Sequence, residues 1–429
     1  MLRQGIRVAH REGRVPVRVA VIGGGAAGLA AAIAAARGGA SVTVLEKGDR
    51  VGRKLLATGN GRCNLTNLEL RASRYHGSVP GFTTRVLERY GAQWALDFFG
   101  RLGIHPVVED CGRVFPRSGQ AGSVLDVLRW EVESLGVRVA CDAAVREVRC
   151  EGPGFRILAG TDPSLDADRV VLATGGRAAP SLGSDGSGYA LARAFGHPIV
   201  DPFQALVPLR LSSPWLRALQ GVRFEGAVRV LSDGRPVAAS SGEVLFTEHG
   251  ASGPAVLDVS REACLHARAG HAVVLGISLV TEVPPDELRA TLSRRFAALG
   301  SRPASAALVG FLNKRMVLPV LRQAAIPDLH RRTDTLSRDE IDRIAQALQD
   351  WGFDVQGPGP WAAAQVTAGG VDVSGIDPDT LQSGRVPGLF FAGELLDVDG
   401  DCGGFNLQWA WASGFRAGEC AASAVSRAP

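Results

Sequence analysis

One pattern restricts the fold more than any other. Residues Val17 to Ile22 read VRVAVI, an apolar run of strand length, and lead directly into GGGAAGL. An alanine-rich run continues to Arg37, and a second apolar stretch, Ser41 to Leu45 (SVTVL), ends at Glu46. Strand, tight turn, helix and strand in that order predict a βαβ unit. The turn carries Gly23, Gly25 and Gly28 in G-x-G-x-x-G spacing. The first glycine makes the turn, the second lets a pyrophosphate approach the backbone, and the third lets the helix pack on the strand. Phosphate charge would sit on the helix N-terminus, at Ala26, Ala27 and Gly28. Glu46 lies 23 residues after Gly23, where a carboxylate accepts hydrogen bonds from ribose hydroxyls. The unit therefore predicts a bound dinucleotide, and the charge of Glu46 disfavours a 2′-phosphate there.

Two later strand ends point to FAD rather than NAD. RVVLA at 169–173 runs into Thr174-Gly175-Gly176, and LFFA at 389–392 runs into Gly393-Glu394. Open α/β sheets bind ligands beyond the carboxyl ends of their strands, so three such ends in order define one cleft. The two short motifs match further fingerprints of two-part flavoprotein domains, with Glu394 beside the ribityl or pyrophosphate region. No second complete G-x-G-x-x-G follows a strand, so no separate NAD(P)H domain is recognisable.

From about residue 200 the texture changes. Segments 205–212, 222–232, 236–247 and 272–280 alternate apolar and polar residues, as antiparallel strands do. Three helical stretches follow, near 286–299, 304–325 and 337–350, before the cluster Gly357-Pro358-Gly359-Pro360. The expectation is an α/β protein: a two-part Rossmann-like FAD-binding domain at 17–200 and 361–429, interrupted by a β-rich, barrel-like insert at 201–283 and a helical module at 284–360. Residues 1–16 read as an N-terminal extension; they are basic but lack the apolar segment of a secretory signal.

Composition closes off several classes. The net charge is only +4, too small for a nucleic-acid surface over the whole chain. Seven cysteines, an odd number, form no C-x-x-C, and eight histidines form no H-E-x-x-H, so no disulfide framework or metal site is expected. Reduced thiols fit the cytoplasm. No run of about 18 apolar residues is present, so no membrane helix is expected.

Longer stretches carry a specific resemblance. They are GRKLLATGNGRCNLTN at 52–67, GSDGSGY at 183–189, GEVLFTEHGASGP at 242–254, VTAGGV at 366–371 and GLFFAGELLDVDGDCGGFNLQ at 388–408. Together they resemble the HI0933-like (BaiN-type) family of FAD-dependent oxidoreductases. The resemblance implies the domain order above, FAD as cofactor and NAD(P)H as transient electron donor. It implies reduction of a conjugated C=C bond in a small molecule. Amine or aminoketone oxidation, or reduction of a uridine in ribosomal RNA, stand as alternatives. An RNA partner would need a basic track, for which Arg294, Arg295, Arg315, Arg322, Arg331 and Arg332 are candidates.

The cofactor contacts expected from these motifs begin with Lys47, Arg53 and Lys54, near the ribose acid and pyrophosphate; solvated surface charge is the alternative for the last two. Gly59, Asn60, Gly61, Arg62, Cys63 and Asn64 suit a chain passing close to a flat ring. Val145 joins them from the strand read at 137–150. Gly403, Gly404, Asn406 and Leu407 place a helix N-terminus toward the flavin pyrimidine, where its dipole would stabilise negative charge. Cys63, Thr367 and Asp397 are candidates for the proton donor by location, with close packing the alternative for Cys63. Two departures from the family pattern stand out: Glu248 replaces a histidine, with His249 adjacent, and the acid of the 183–189 loop has moved to Asp185.

Overall fold

A computed structural model describes residues 15–160 and 164–423. The N-terminal extension therefore lies outside the described residues except for its last two. The chain forms two compact units. One comprises the chain up to Gly176, Leu182–Val200 and Gly369 onward; the other comprises Arg177–Ser181 and Asp201–Ala368.

The first unit is built on a five-stranded parallel sheet, in the order Leu389–Phe391, Arg169–Leu172, Arg18–Ile22, Ser41–Leu45, Arg138–Ala140. Val19 to Ile22 are all buried, which is why this strand reads as a continuous apolar run rather than an alternating one. A Rossmann-like α/β fold follows, with helix Ala26–Arg37 behind the first strand. That helix is alanine-rich because the C-terminal helix, Phe405–Ala422, lies directly on it. A Cβ at Gly414 would stand 2.2 Å from the Ala27 carbonyl oxygen, and one at Gly418 would stand 2.1 Å from that of Ala31. This close crossing sets the C-terminal helix against the helix that opens at the glycine turn.

The second unit contains a closed six-stranded barrel. Its strands, in order, are Leu209–Ser212, Gly250–Ser252, Arg235–Thr247, Arg223–Ser232, Val273–Ser278 and Trp351–Pro358. Buried Phe246, Trp351 and Phe353 pack ring against ring, with centroids 5.0 to 6.4 Å apart. Helices Pro285–Leu299, Lys314–Gln323 and Arg338–Gln349 precede the last strand.

Three boundaries differ from the sequence expectation. Trp351–Pro358, inside the range expected to be helical, is a barrel strand. Helix Pro254–Arg268 lies inside the range expected to be β-rich, between segments read as strands. Residues 361–368, expected with the sheet domain, fall in the second unit. Hydrogen bonds hold them there: Gln365 N donates to the Leu206 carbonyl and Ala179 N to the Trp361 carbonyl.

Candidate functional site

The glycine turn has the geometry a pyrophosphate needs. Gly23 adopts φ +105°, and a Cβ there would stand 2.4 Å from the Ala173 carbonyl oxygen. A Cβ on Gly28 would come within 1.8 Å of the Gly23 carbonyl oxygen, so the helix can approach the strand only without one. At Gly25 no atom stands within 4 Å of the Cβ position. No side chain caps this helix, and its first-turn amides have no carbonyl partner within it. Open space facing unpaired, positively polarised amides fits a phosphate group.

Glu46, the expected ribose acid, is held by two backbone amides. One carboxylate oxygen accepts from Gly24 N at 2.7 Å and the other from Gly48 N at 2.8 Å. A carboxylate has about four acceptor positions, so two bonds fix its orientation and leave capacity for ribose hydroxyls. The chain at 140–143 runs alongside: Glu46 N donates to the Ala140 carbonyl and Ala143 N to the Glu46 carbonyl. Val145, two residues on, starts the strand Val145–Glu151.

Lys54 and Glu394, 340 residues apart in sequence, form an ion pair of 2.6 Å. The short helix Arg53–Ala57 is thereby joined to the turn after strand Leu389–Phe391. Arg53 lies 4.0 Å from Asp49. The stretches 52–67 and 388–408 meet along a further seam. Asn67 donates to the Gly403 carbonyl (2.9 Å), Thr66 to Gln408 (2.5 Å) and Trp411 to the Leu65 carbonyl (3.0 Å). Gly404, at φ +104°, turns the chain into the C-terminal helix, where a Cβ would stand 2.6 Å from the Thr66 carbonyl oxygen. Leu407 is half-buried against the core.

Several expected contacts have other partners. The Arg62 guanidinium pairs with Glu109 and stacks over Phe115, 4.1 Å from the ring centroid, so its side chain is turned to its own loop neighbours. The Asn406 side chain accepts from Gly400 N (2.8 Å) and donates to the Gly400 and Asp401 carbonyls, which clamps the 399–401 turn. Asn64, 9% exposed, accepts from Val114 N. Gly59 and Asn60 are both left-handed, at φ +57° and +55°, and with Gly61 make the sharp turn of this loop. Lys47 pairs with Asp185 at 2.6 Å.

The three proton-donor candidates are all buried. Cys63 is fully buried at φ +62°, and burial pushes its thiol up to about 12 despite a hydrogen bond from Thr58. It is a neutral packed thiol, which opposes a thiolate role. Thr367 belongs to the second unit, where its hydroxyl oxygen accepts from Arg177 N (2.8 Å) and Ala178 N (2.9 Å). That is the work of a turn anchor. Asp397, 3% exposed, accepts from Ser78 N at 2.8 Å. Glu248 and His249 lie 4.0 Å apart on the barrel surface, largely exposed.

Two groups at the loops were not anticipated. His76 Nε2 lies 2.8 Å from Asp401, whose other oxygen takes Arg74 at 3.2 Å. The buried Ser184 hydroxyl, at the 174–176 turn, has no hydrogen-bond partner among the described residues. Both depend on contacts between distant segments. Among the described residues, no group of three His, Cys, Asp or Glu side chains is placed to hold a metal. No described helix is long and apolar enough to cross a membrane.

A profile of the HI0933-like protein Rossmann domain matches residues 17–420. The chain belongs to the HI0933-like family. It is an FAD-dependent oxidoreductase. A 3-dehydro-bile acid delta(4,6)-reductase of Clostridium scindens is 38% identical over 407 residues, covering 94% of this chain and 99% of that protein. A ribosomal RNA dihydrouridine synthase of Haemophilus influenzae is 31% identical over 407 residues, covering 92% and 96%. The ribosomal RNA dihydrouridine synthase of Escherichia coli is 32% identical over 400 residues, covering 92% and 95%. The HI0933-like glycine turn, the ATGG turn and the Gly393-Glu394 turn all stand at carboxyl ends of the one parallel sheet.

Proposed function

We propose that the chain reduces a C=C bond conjugated to a carbonyl in a small molecule, with NAD(P)H as electron donor. The observation that carries this reading is the 38% identity, over nearly the full length of both chains, to a reductase of a 3-dehydro bile acid. FAD, when bound, supplies the centre that accepts and donates hydride. The residues of this chain supply position and charge. The amides of Ala26 to Gly28 hold the pyrophosphate, and Glu46 holds the adenosine ribose. Lys54 supplies positive charge near the phosphates, held in place by Glu394. The N-terminal amides of Phe405–Ala422 stabilise negative charge at the cofactor ring. Hydride addition to a conjugated C=C leaves an enolate that needs one proton. The Thr367 hydroxyl is the weakest acid of the three expected donors, and the Cys63 thiol, pushed up to about 12 by burial, is weaker than an ordinary cysteine. Asp397 remains the candidate for it among the three expected.

A second reading has its own observation. Two relatives at 31% and 32% identity are named as ribosomal RNA dihydrouridine synthases. The 5,6-bond of uracil is likewise conjugated to a carbonyl, so the same chemistry would serve. RNA binding needs free positive charge along a track. Here Arg331 pairs with Glu340 and Arg332 with Asp334, while Arg295 and Arg315 donate to backbone carbonyls. Arg294 donates to the Thr291 hydroxyl as well, and internal engagement of five of the six candidate arginines favours the small molecule. The test is to reduce the purified flavoprotein with NADPH or NADH without oxygen. A 3-oxo-Δ4 steroid acid, a ribosomal RNA transcript or an amine is then supplied, and the product is identified by mass. A gain of two hydrogens in the enone supports the proposal. Reaction of the RNA alone selects the second reading, and peroxide formation from the amine by the oxidised protein in air, without a nicotinamide, selects an oxidase.

A further inference from the structure

We propose that Gly183–Gly188 is a strap across the adenosine end of the dinucleotide cleft, latched by the Lys47–Asp185 ion pair, and that the latch opens for FAD to leave. The inference rests on the reading of this cleft as an FAD site.

Topology places the strap. It follows the turn after strand Arg169–Leu172, and Lys47 follows strand Ser41–Leu45. These two strands flank Arg18–Ile22, whose carboxyl end carries the glycine turn. A segment joined to both neighbours must therefore pass the end of the central strand, where the pyrophosphate site lies. On one side the strap is packed without slack. A Cβ on Gly188 would stand 1.8 Å from Thr174 Oγ1, and Gly186 N donates to the Gly176 carbonyl at 2.9 Å. On the other side the join is polar and partly solvated. Lys47 Nζ lies 2.6 Å from Asp185 and 3.5 Å from the Ser187 hydroxyl, while Ser187 N donates to Asp185 at 3.0 Å. Lys47 is 30% exposed and Asp185 47%.

One side is thus a hinge and the other a releasable contact. Burial alone would raise the Asp185 carboxyl. The hydrogen bonds from Lys47 and Ser187, with the Lys47 charge, outweigh it and bring the group down to about 2, so the latch is charged at neutral pH. The Ser184 hydroxyl supplies an independent pointer. It is buried without a hydrogen-bond partner, 3.1 Å from the Cβ position of Gly175 in the ATGG turn. A buried hydroxyl is rarely left unpaired, and a dinucleotide in the cleft would offer it an acceptor.

The readout is the rate of FAD release, followed by the rise in flavin fluorescence after high dilution. A partly exposed ion pair is worth about 0.2–1 kcal/mol. Asp185→Asn and Lys47→Met should therefore each release FAD about two- to fivefold faster than the unaltered protein at low salt. At ~1 M salt, where the screening length is about 3 Å, the three rates should converge. Lys47→Asp combined with Asp185→Lys should restore slow release, because the pair is re-formed with its charges exchanged. If Lys47 instead contacts the cofactor phosphates, the exchanged pair releases FAD faster than either single variant, and the proposal is overturned. Release at the unaltered rate from Asp185→Asn at low salt also overturns it. An unaltered protein that binds no FAD refutes both the strap and the reading of the cleft beneath it.

Discussion

Lys54 and Glu394 meet at 2.6 Å, with the ammonium and the carboxylate each about three-quarters shielded from solvent. The pair joins the loop that follows the ribose acid to the turn at the far edge of the sheet. It also makes the two partners unequal. Lys54→Met leaves a shielded carboxylate without its ammonium beside the expected phosphates, whereas Glu394→Gln leaves an ammonium that can turn to them. Removing one partner of a shielded pair exposes the other's uncompensated charge. Lys54→Met should weaken FAD binding about tenfold, equivalent to about 1.4 kcal/mol, and Glu394→Gln should weaken it less. Titration of apoprotein with FAD, followed by flavin fluorescence, measures both. Equal losses would show that the pair lies away from the phosphates.

Thr367 anchors a turn. Its oxygen accepts from two backbone amides, those of exposed Arg177 and buried Ala178. Thr367→Val keeps the shape and strands both donors, at a cost of about 1–3 kcal/mol for each unsatisfied group. Thermal unfolding should shift downward in Thr367→Val and recover in Thr367→Ser. The rate of flavin reduction should change little in the fraction that stays folded. A large loss of that rate with unaltered melting would restore Thr367 as a chemical group.

Cys63 and Cys264 are both buried thiols pushed up to about 12 by burial, from an ordinary value near 9. Between those values the folded chain keeps protons that the unfolded chain has lost. The protonated thiols therefore support the fold fully below about pH 9, and that support is lost as pH rises towards about 12. Urea unfolding should show stability falling over this window, and the fall should be smaller in Cys63→Ala. Flavin reduction and reoxidation in Cys63→Ala should stay within a few-fold of the unaltered protein. A hundredfold loss would mean that the thiol takes part in the reaction.

Gly414 tests the helix crossing. Replacing a mid-helix glycine by alanine usually favours the helix by about 1 kcal/mol. Here the new Cβ would lie 2.2 Å from the Ala27 carbonyl oxygen, which is backbone and cannot turn aside. Overpacking of this kind costs about 1–3 kcal/mol, so the net effect of Gly414→Ala should be destabilising. Because the displaced helix begins at the glycine turn, FAD affinity should fall with stability. Chemical denaturation and FAD titration on the same variant check both.

The parallel sheet was legible because its inner strands are largely buried, so VRVAVI, RVVLA and LFFA stand out as short apolar runs ending in glycine turns and SVTVL as one ending at Glu46. Trp351–Pro358 was missed although Trp351 and Phe353 alternate with polar neighbours, because the Gly/Pro cluster at 357–360 reads as a linker. Helix Pro254–Arg268 carried a signal too, with proline in its first turn and Val256, Val259 and Ala263 on its buried face. The segment 304–325 read as one helix. It is a 3₁₀ turn at Ala304–Ala306 followed by Lys314–Gln323, which Asn313 caps by accepting from Arg315 N. At the cofactor cleft the glycine motifs and Glu46 were readable from local spacing alone. Lys54 with Glu394, Lys47 with Asp185, and His76 with Asp401 were not, since each pair spans more than a hundred residues. The internal partners of Arg62, at Glu109, and of Asn406, at Gly400 and Asp401, lie nearer in sequence and are set by loop geometry that residue spacing does not give.

The central claim is that nicotinamide-derived electrons pass through the flavin to a conjugated C=C bond. Stopped-flow spectroscopy under anaerobic conditions measures it directly, mixing the FAD-loaded protein with NADPH or NADH and then with a 3-oxo-Δ4 steroid acid. The account predicts loss of the flavin absorbance band with one of the two donors, followed by its return when the enone is added. A flavin that neither donor bleaches, or that is bleached but returns only with oxygen, would contradict it.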